Sequence, residues 1–295
     1  MMETTALDRK KRLNTTSGQF RIALRQFRRN KIAVVGIIIF LIIVLSCVFA
    51  DKISAYDYAA QDIRNKFAPL SMEHPFGTDQ FGRDVFTRML YGGRISLVVA
   101  FSAVLLSAAV AVLLGTTAAF FGKAYEMIVM RIIDILQSIP GLLLAAAVST
   151  AIGTGIQNSI IAIAIGQLAN TTRLMYSATL TVKNQEYLEA ARACGASKTR
   201  IIFHHVIKNI LAPLIVQVTS RLGSGITQIA SLSFLGLGVM PPTPEWGSIL
   251  NAGKQYMRSY WPLVTFPGLV IALTLISVSF IGDGIRDAVD PRLKR

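Results

Sequence analysis

Charged residues are scarce in this chain of 295 amino acids. Asp, Glu, Lys and Arg make up 16% of the sequence and hydrophobic residues 53%, which leaves too little charge to solvate a soluble domain of this length. Residues 32–50 and 95–122 hold no charge at all. Each stretch is long enough to cross a hydrocarbon layer of about 30 Å as a helix that rises about 1.5 Å per residue. The sequence therefore excludes a soluble fold and predicts an all-α polytopic membrane protein.

Cysteine and histidine are almost missing. The two cysteines, Cys47 and Cys194, fall in an apolar run and in a polar segment, so we expect no disulfide. Three histidines without metal-ligand spacing predict no metal site, and no triad or carboxylate pair suggests hydrolysis. The segment from Gly195 to Thr199 is similar to the end of a phosphate-binding loop, but no glycine directly precedes Lys198. We therefore expect a chain that is not an enzyme and that holds no cofactor of its own.

The basic residues that are present flank the apolar runs. Residues 1–31 hold nine Lys/Arg against two acids, and residues 173–208 hold six against two. Basic segments beside spans stay in the cytoplasm, which predicts that both segments and both termini lie inside. A basic arm on anionic lipid accounts for the net charge of +14 without a nucleic-acid ligand.

The apolar runs predict six transmembrane helices. They fall at about 32–50, 93–121, 125–150, 158–178, 209–234 and 261–281. The first run lacks a small-residue cleavage site and is predicted to be a retained anchor. Around the spans we expect a basic arm with an amphipathic surface helix (1–31), an outer loop (51–92), a five-helix core (93–285) and a short inner tail (286–295).

The polar segment 182–208 is longer than a connection between two spans needs. Tyr187, Ala190, Ala191 and Cys194 lie at helical spacing and predict a face of mostly small residues. Gly195 allows the positive φ that ends such a helix. Ile202, Val206 and Ile210 make a second apolar stripe. An ordinary amphipathic linker has the same pattern, so the pattern alone leaves a linker and a docking element both open.

Several stretches together resemble one family. Glu189-Ala-Ala, followed after three residues by Gly195, is similar to the loop of ABC-importer permeases that docks on the ATPase. Longer stretches are similar to the C-type permease subunit of dipeptide/oligopeptide/nickel importers: 74–84 (HPFGTDQFGRD), 91–96 (YGGRIS), 134–140 (DILQSIP), 233–247 (SFLGLGVMPPTPEWG) and 282–292 (GDGIRDAVDPR). These ordered matches extend the resemblance over most of the chain.

The resemblance implies a type I importer permease in a bacterial or archaeal cytoplasmic membrane. It implies as partners a homologous second permease, two ATPase subunits that hold ATP and Mg, and an extracytoplasmic solute-binding protein. Carried over to this chain, the ATPase-coupling surface comprises Glu186, Glu189, Ala190, Ala191, Gly195, Ala196, Ser197, Arg200 and His204. The family usually has a proline where this chain has Lys208, so we expect the helix after Gly195 to continue into the fifth span.

Three charged residues lie in or near the predicted spans. Arg131 and Asp134 are three residues apart, close to the cytoplasmic end of their span, and we expect a structural pair on one helix face in preference to a contact with substrate. Arg221 has no partner nearby in sequence, and it is predicted to face either the translocation path or a carboxylate of a partner subunit.

Alternatives to a peptide importer stay open. They are a stand-alone ion-coupled carrier, a permease of the same family for oligosaccharides, and a membrane scaffold that transports nothing. The cargo is also open among dipeptides, longer peptides, nickel chelates and sugars. An ion-coupled carrier needs more ionisable residues in its spans than this sequence offers.

Overall fold

The computed structural model describes residues 25–289, and they form a helical bundle. The long helices are α1 (Lys31–Val48), α3 (Val85–Phe121), α6 (Ile156–Lys183), α8 (Lys198–Phe234) and α10 (Pro262–Val289). The short helices are α2 (Ala50–Ile53), α4 (Lys123–Gln137), α5 (Gly141–Ile152), α7 (Glu186–Ala193) and α9 (Trp246–Gly253). Within 25–289 the strand-like pairing is limited to one isolated bridge, Thr78 with Asp84. The all-α fold is confirmed.

Five of the six predicted spans correspond to four long apolar helices and one bent pair, and α6 stands at the place of the predicted fourth span. The helices α1, α3, α8 and α10 are each long and apolar enough to cross a membrane, and α4 with α5 makes a fifth candidate. The 28 residues of α6 also suffice in length, but this helix is more polar and carries Gln167, Asn170 and Arg173. The predicted surface helix of residues 1–31 lies mostly outside the described residues, as does most of the tail 286–295.

The predicted third span, 125–150, is wrong as a single straight helix. The helices α4 and α5 meet at an angle of 93°. Pro140 has no N–H group, and its ring disfavours helical dihedrals at Ile139, so it favours a break at this step. The start of α5 is held against α6, since a Cβ added to Gly141 would lie 2.6 Å from the Gly166 carbonyl oxygen.

Small residues bring the long helices into close contact. A Cβ on Gly115 of α3 would lie 2.6 Å from the carbonyl oxygen of Thr172 on α6. A Cβ on Gly36 of α1 would lie 2.7 Å from Cβ of Phe280 on α10. In lipid, such packing and not hydrophobicity drives helices together. The bundle is therefore held by close backbone approach at a few fixed points.

The 37 residues of α3 join the two ends of the bundle over about 55 Å. Near its start, Ser96 bonds to Trp246 of α9. Near its end, Phe120 packs beside Leu188 of α7. We call these the α9 end and the α7 end.

Candidate functional site

The helix α7 is separated from α6 by Asn184 and Gln185 alone. Its first turn carries Glu186 and Glu189, and its last turn carries Arg192. Acidic residues at the start and a basic residue at the end oppose the partial charges of the helix termini and stabilise an otherwise very short helix.

The turn after α7 satisfies the free carbonyl groups of its last residues. Gly195 has a φ of +79°, as its predicted role requires. Its N–H donates to Arg192 O at 2.9 Å, and the Ala196 N–H donates to Ala191 O at 3.0 Å. This pair of bonds is a Schellman motif, which ends a helix and reverses the chain. The predicted helix end at Gly195 is confirmed.

One side chain fixes α7 to the bundle. Leu188 is fully buried and packs in a cluster with Ile201 and Val206 of α8, against which Phe120 of α3 also lies. Residues 201–206 form a π-helical turn within α8, whose wider i→i+5 bonding brings Ile201 and Val206 toward the same side. Movement of α7 would therefore act on both α3 and α8.

Lys183 adds a polar contact at the same place. Its Nζ donates to Ala119 O at 2.8 Å, a carbonyl in the last turn of α3. Carbonyl groups there lack partners within the helix, so the ammonium group both caps α3 and holds the end of α6 beside it. Neither Leu188 nor Lys183 was among the residues predicted for this site. A leucine inside an otherwise polar segment was the available signal for the first.

The helix α8 begins at the predicted docking segment and continues to Phe234. Ser197 is its N-cap and accepts from Arg200 N at 3.3 Å. The predicted run-on into the fifth span is confirmed, because α8 passes Lys208 and also Pro213 without ending. The predicted stripe of Ile202, Val206 and Ile210 is buried. A displacement of the residues near Ser197 would thus move one long helix that extends to Phe234.

The predicted coupling residues share one accessible surface. They lie on α7, on its C-terminal turn and on the first turns of α8, and each is exposed or half-exposed: Glu186, Glu189, Ala190, Ala191, Gly195, Ala196, Ser197, Arg200 and His204. The face with Tyr187, Ala190 and Cys194 is also exposed, so none of residues 25–289 covers it. We call this whole region the α7 surface.

The predicted Arg131–Asp134 pair is wrong. Asp134 Oδ1 instead accepts from Arg173 Nη2 on α6. The helix α6 passes the face of α4 that carries Asp134, so a pair between two helices forms there in place of a pair within one helix. Arg221 on α8 is half-buried and has no carboxylate within 4 Å among residues 25–289.

The stretch 74–84, singled out by sequence, forms a network of mostly buried polar contacts at the α9 end. The Asp79 carboxylate accepts from Phe81 N at 2.8 Å and from Arg83 Nε at 2.7 Å. Asp84 is the N-cap of α3, where it accepts from Thr87 N at 2.6 Å, and its other oxygen lies 2.9 Å from His74 Nδ1. His74 therefore has a local partner, and no group of metal-ligand residues is found in 25–289.

The stretch 233–247 ends in a second buried constellation. Glu245 is fully buried and caps α9, accepting from Ser248 N at 3.0 Å and from Ser96 Oγ of α3 at 2.7 Å. Trp246 Nε1 donates to Met89 O at 3.0 Å. Burial raises the pKa of Glu245 above its ordinary value, while these hydrogen bonds act in the opposite direction. Both stretches therefore cap helices and join neighbouring segments of this chain.

Comparison with known proteins identifies the family. Residues 111–295 match the family described as the binding-protein-dependent transport system inner membrane component. Residues 18–69 match the N-terminal TM domain of oligopeptide transport permease C. The chain belongs to this permease family. Its predicted resemblance to the C-type subunits of peptide importers is confirmed.

Curated relatives cover nearly the whole permease. The dipeptide transport system permease protein DppC of Alkalihalophilus pseudofirmus is 42% identical over 95% of this chain and 92% of its own length. The di/tripeptide transport system permease protein DppC of Pseudomonas aeruginosa is 40% identical, covering 92% and 91%. The glutathione transport system permease protein GsiD of Escherichia coli is 40% identical, covering 92% and 89%.

A solved structure supports the fold. An inward-facing form of the MetNI methionine ABC transporter matches with a TM-score of 0.56 and 20% identity, over 69% of this chain and 96% of that one. The permease thus has the type I importer fold that the sequence predicted.

Proposed function

We propose that this permease and a homologous second permease form the path of an ATP-driven importer for short peptides. The α7 surface carries the proposal, because it is a formed but uncovered helix–turn–helix that one buried leucine fixes to two long helices. Each permease binds one ATPase subunit, which in this chain docks on the α7 surface. The two ATPase subunits hold ATP and Mg. A solute-binding protein delivers the peptide from the other side of the membrane.

In this proposal the α7 end is cytoplasmic. The basic residues in 173–208 and the many in 1–31 support that orientation. Closure of the ATPases on ATP moves α7, and Leu188 passes the movement to α8 through Ile201 and Val206. The long helices then shift between outward-facing and inward-facing arrangements, a two-state change that ATP binding biases.

Peptides are the proposed cargo because the named relatives include dipeptide, di/tripeptide and glutathione permeases. All three names denote short peptides with free charged groups. Nickel and oligosaccharides are the less favoured cargoes of the wider group.

The test is reconstitution of the full complex in proteoliposomes with the partner ATPase and binding-protein subunits. We expect uptake of labelled dipeptide that needs ATP hydrolysis and the binding protein. Equal uptake by this chain alone, driven by an ion gradient, would contradict the proposal and favour a secondary carrier. Absence of peptide uptake, with uptake of nickel or a sugar instead, would overturn the cargo assignment only.

A further inference from the structure

Three polar pairs join α4 to α6. Glu126 accepts from the Tyr176 hydroxyl, Asp134 pairs with Arg173, and Gln137 Nε2 donates to Asn170 Oδ1 at 3.4 Å. On α6 the three partners are spaced three residues apart, so they follow one side of that helix. The pairs make a polar strip between the two helices.

The helix α4 has three different faces. Val129 and Ile133 are buried against the bundle. Ile128 and Ile135 are exposed, at 61% and 60%, on a face that suits lipid. The remaining face carries the polar strip. An amphipathic helix of this kind lies where lipid, protein and water meet.

The strip falls within the predicted third and fourth spans, 125–150 and 158–178. A charge in a span is costly where it faces lipid. Yet about half of each side chain is exposed in this subunit, 49% for Arg173 and 45% for Asp134. The strip must therefore face water or protein in the assembled importer.

A cavity of about 700 Å³ opens beside the strip. Its lining includes Lys123, Glu126, Met130, Asp134, Arg173 and Tyr176. Its volume falls within the range of small-molecule sites, about 300–1,000 Å³. Arg173 uses one nitrogen for Asp134, and its other donors and Asp134 Oδ2 have no hydrogen-bond partner among residues 25–289. A guanidinium group has five N–H donors, so both partners can bind a further charged group without breaking their pair.

We propose that this cavity lies on the translocation path and binds the charged termini of a peptide in transit. Arg173 binds the carboxylate, which its planar donors fit better than an ammonium group would, and Asp134 binds the terminal amine. The inference rests on the proposed function, since it needs a path and a zwitterionic peptide. A weak site of this kind replaces part of the hydration that both termini lose when the peptide leaves bulk solvent.

The first test is the neutral double variant Asp134→Asn/Arg173→Gln in the reconstituted complex. The double variant leaves no isolated charge, so a pair that only joins the two helices predicts wild-type uptake if the unfolding temperature is unchanged. We expect uptake of dialanine from preloaded binding protein to fall about tenfold, which corresponds to about 1.4 kcal/mol of lost binding to the charged termini. An unchanged rate, with peptide uptake by the wild-type complex, would overturn the site and leave the proposed function intact. A wild-type complex that takes up no peptide would refute the proposed function itself.

The second test measures access to water. In a Cys47→Ala/Cys194→Ser complex, Met130→Cys places a thiol on the cavity and Ile128→Cys places one on the lipid-facing side of the same helix. We expect a charged, membrane-impermeant thiosulfonate to modify Met130→Cys at least tenfold faster, and millimolar dialanine to slow that reaction. Equal modification rates would overturn the site, because a second permease or lipid would then cover the strip. Equal protection by carboxyl-amidated dialanine would overturn the assignment of Arg173.

Discussion

The two ends of the bundle differ in how completely their residues are buried and hydrogen-bonded within the chain. At the α9 end, buried Asp79 and Glu245 each accept several hydrogen bonds, and Trp246 is fixed to α3 through its indole nitrogen. At the α7 end, α7 buries only Leu188 of its eight residues. The α9 end is a buried core whose polar groups are paired. The α7 end is an ordered surface that none of residues 25–289 covers, as the proposed docking of a partner requires.

The difference also appears in the glycines at each end. Gly247 lies in α9, and a Cβ on it would be 2.1 Å from the Ala230 carbonyl oxygen of α8. Gly195 needs its glycine for a φ of +79°, but the space around it is open. Packing therefore restricts the α9 end, whereas backbone conformation restricts the α7 end. Substitutions at each can separate folding from coupling.

The largest effect is expected from Gly247→Ala. The new methyl group would overlap backbone atoms of α8, which cannot rotate away, so α9 must leave its place between α3 and α8. We expect a loss of at least about 3 kcal/mol in stability, the upper range for overpacking. Thermal unfolding of the purified subunit in detergent measures it.

Gly268→Ala is the matched control, because a Cβ at that position of α10 meets nothing within 4 Å. Alanine is the better helix former by about 1 kcal/mol, so the control should be neutral or stabilising. Equal unfolding temperatures for the two variants would mean that the α9 end is not a tightly packed core.

The next effect is expected from Gly195→Arg at the α7 surface. A bulky side chain there obstructs docking, so transport and the stimulation of ATPase activity should be lost while the subunit still inserts. Co-purification of the ATPase and its hydrolysis rate in proteoliposomes measure this loss.

Gly236→Arg controls for strain, since its φ of +78° and open surroundings match those of Gly195 at the opposite end. Both variants place a side chain in left-handed backbone at a cost of about 1–2 kcal/mol. If both variants bind the ATPase equally well, the α7 surface is not where it docks.

The smallest effect concerns the pH dependence of stability at the α9 end. Burial raises the folded-state pKa of Glu245, so ionisation destabilises the folded state once the pH exceeds the unfolded-state pKa. The penalty grows until the pH passes the folded-state pKa. Glu245→Gln keeps the shape and does not titrate, and at low pH it should be within about 1 kcal/mol of wild type.

Unfolding temperatures of both proteins, measured from acidic to neutral buffer, test this sign. We expect the wild type to lose stability relative to Glu245→Gln as the pH rises. The opposite trend would mean that hydrogen bonds from Ser96 and Ser248 outweigh burial and hold the carboxylate ionised.

Local patterns predicted what local physics controls. The absence of charge in residues 32–50 and 95–122 predicted spans, and the small residues before Gly195 predicted a helix that ends there. Spacing also predicted a pair between Arg131 and Asp134, and this was wrong because it considered one helix alone. The 93° break at Pro140 and the burial of Leu188 were likewise missed, since each depends on what another helix presents.

The sequence by itself determined the class, the family and the place of the α7 surface. Apolar runs, flanking charge and backbone preferences of glycine act within a few residues, so they can be recognised without coordinates. The tertiary structure alone decided which polar groups meet: Asp134 with Arg173, Glu245 with Ser96, and Leu188 with α8. These partners are far apart in the chain, and only the close approach of helices through small residues brings them together.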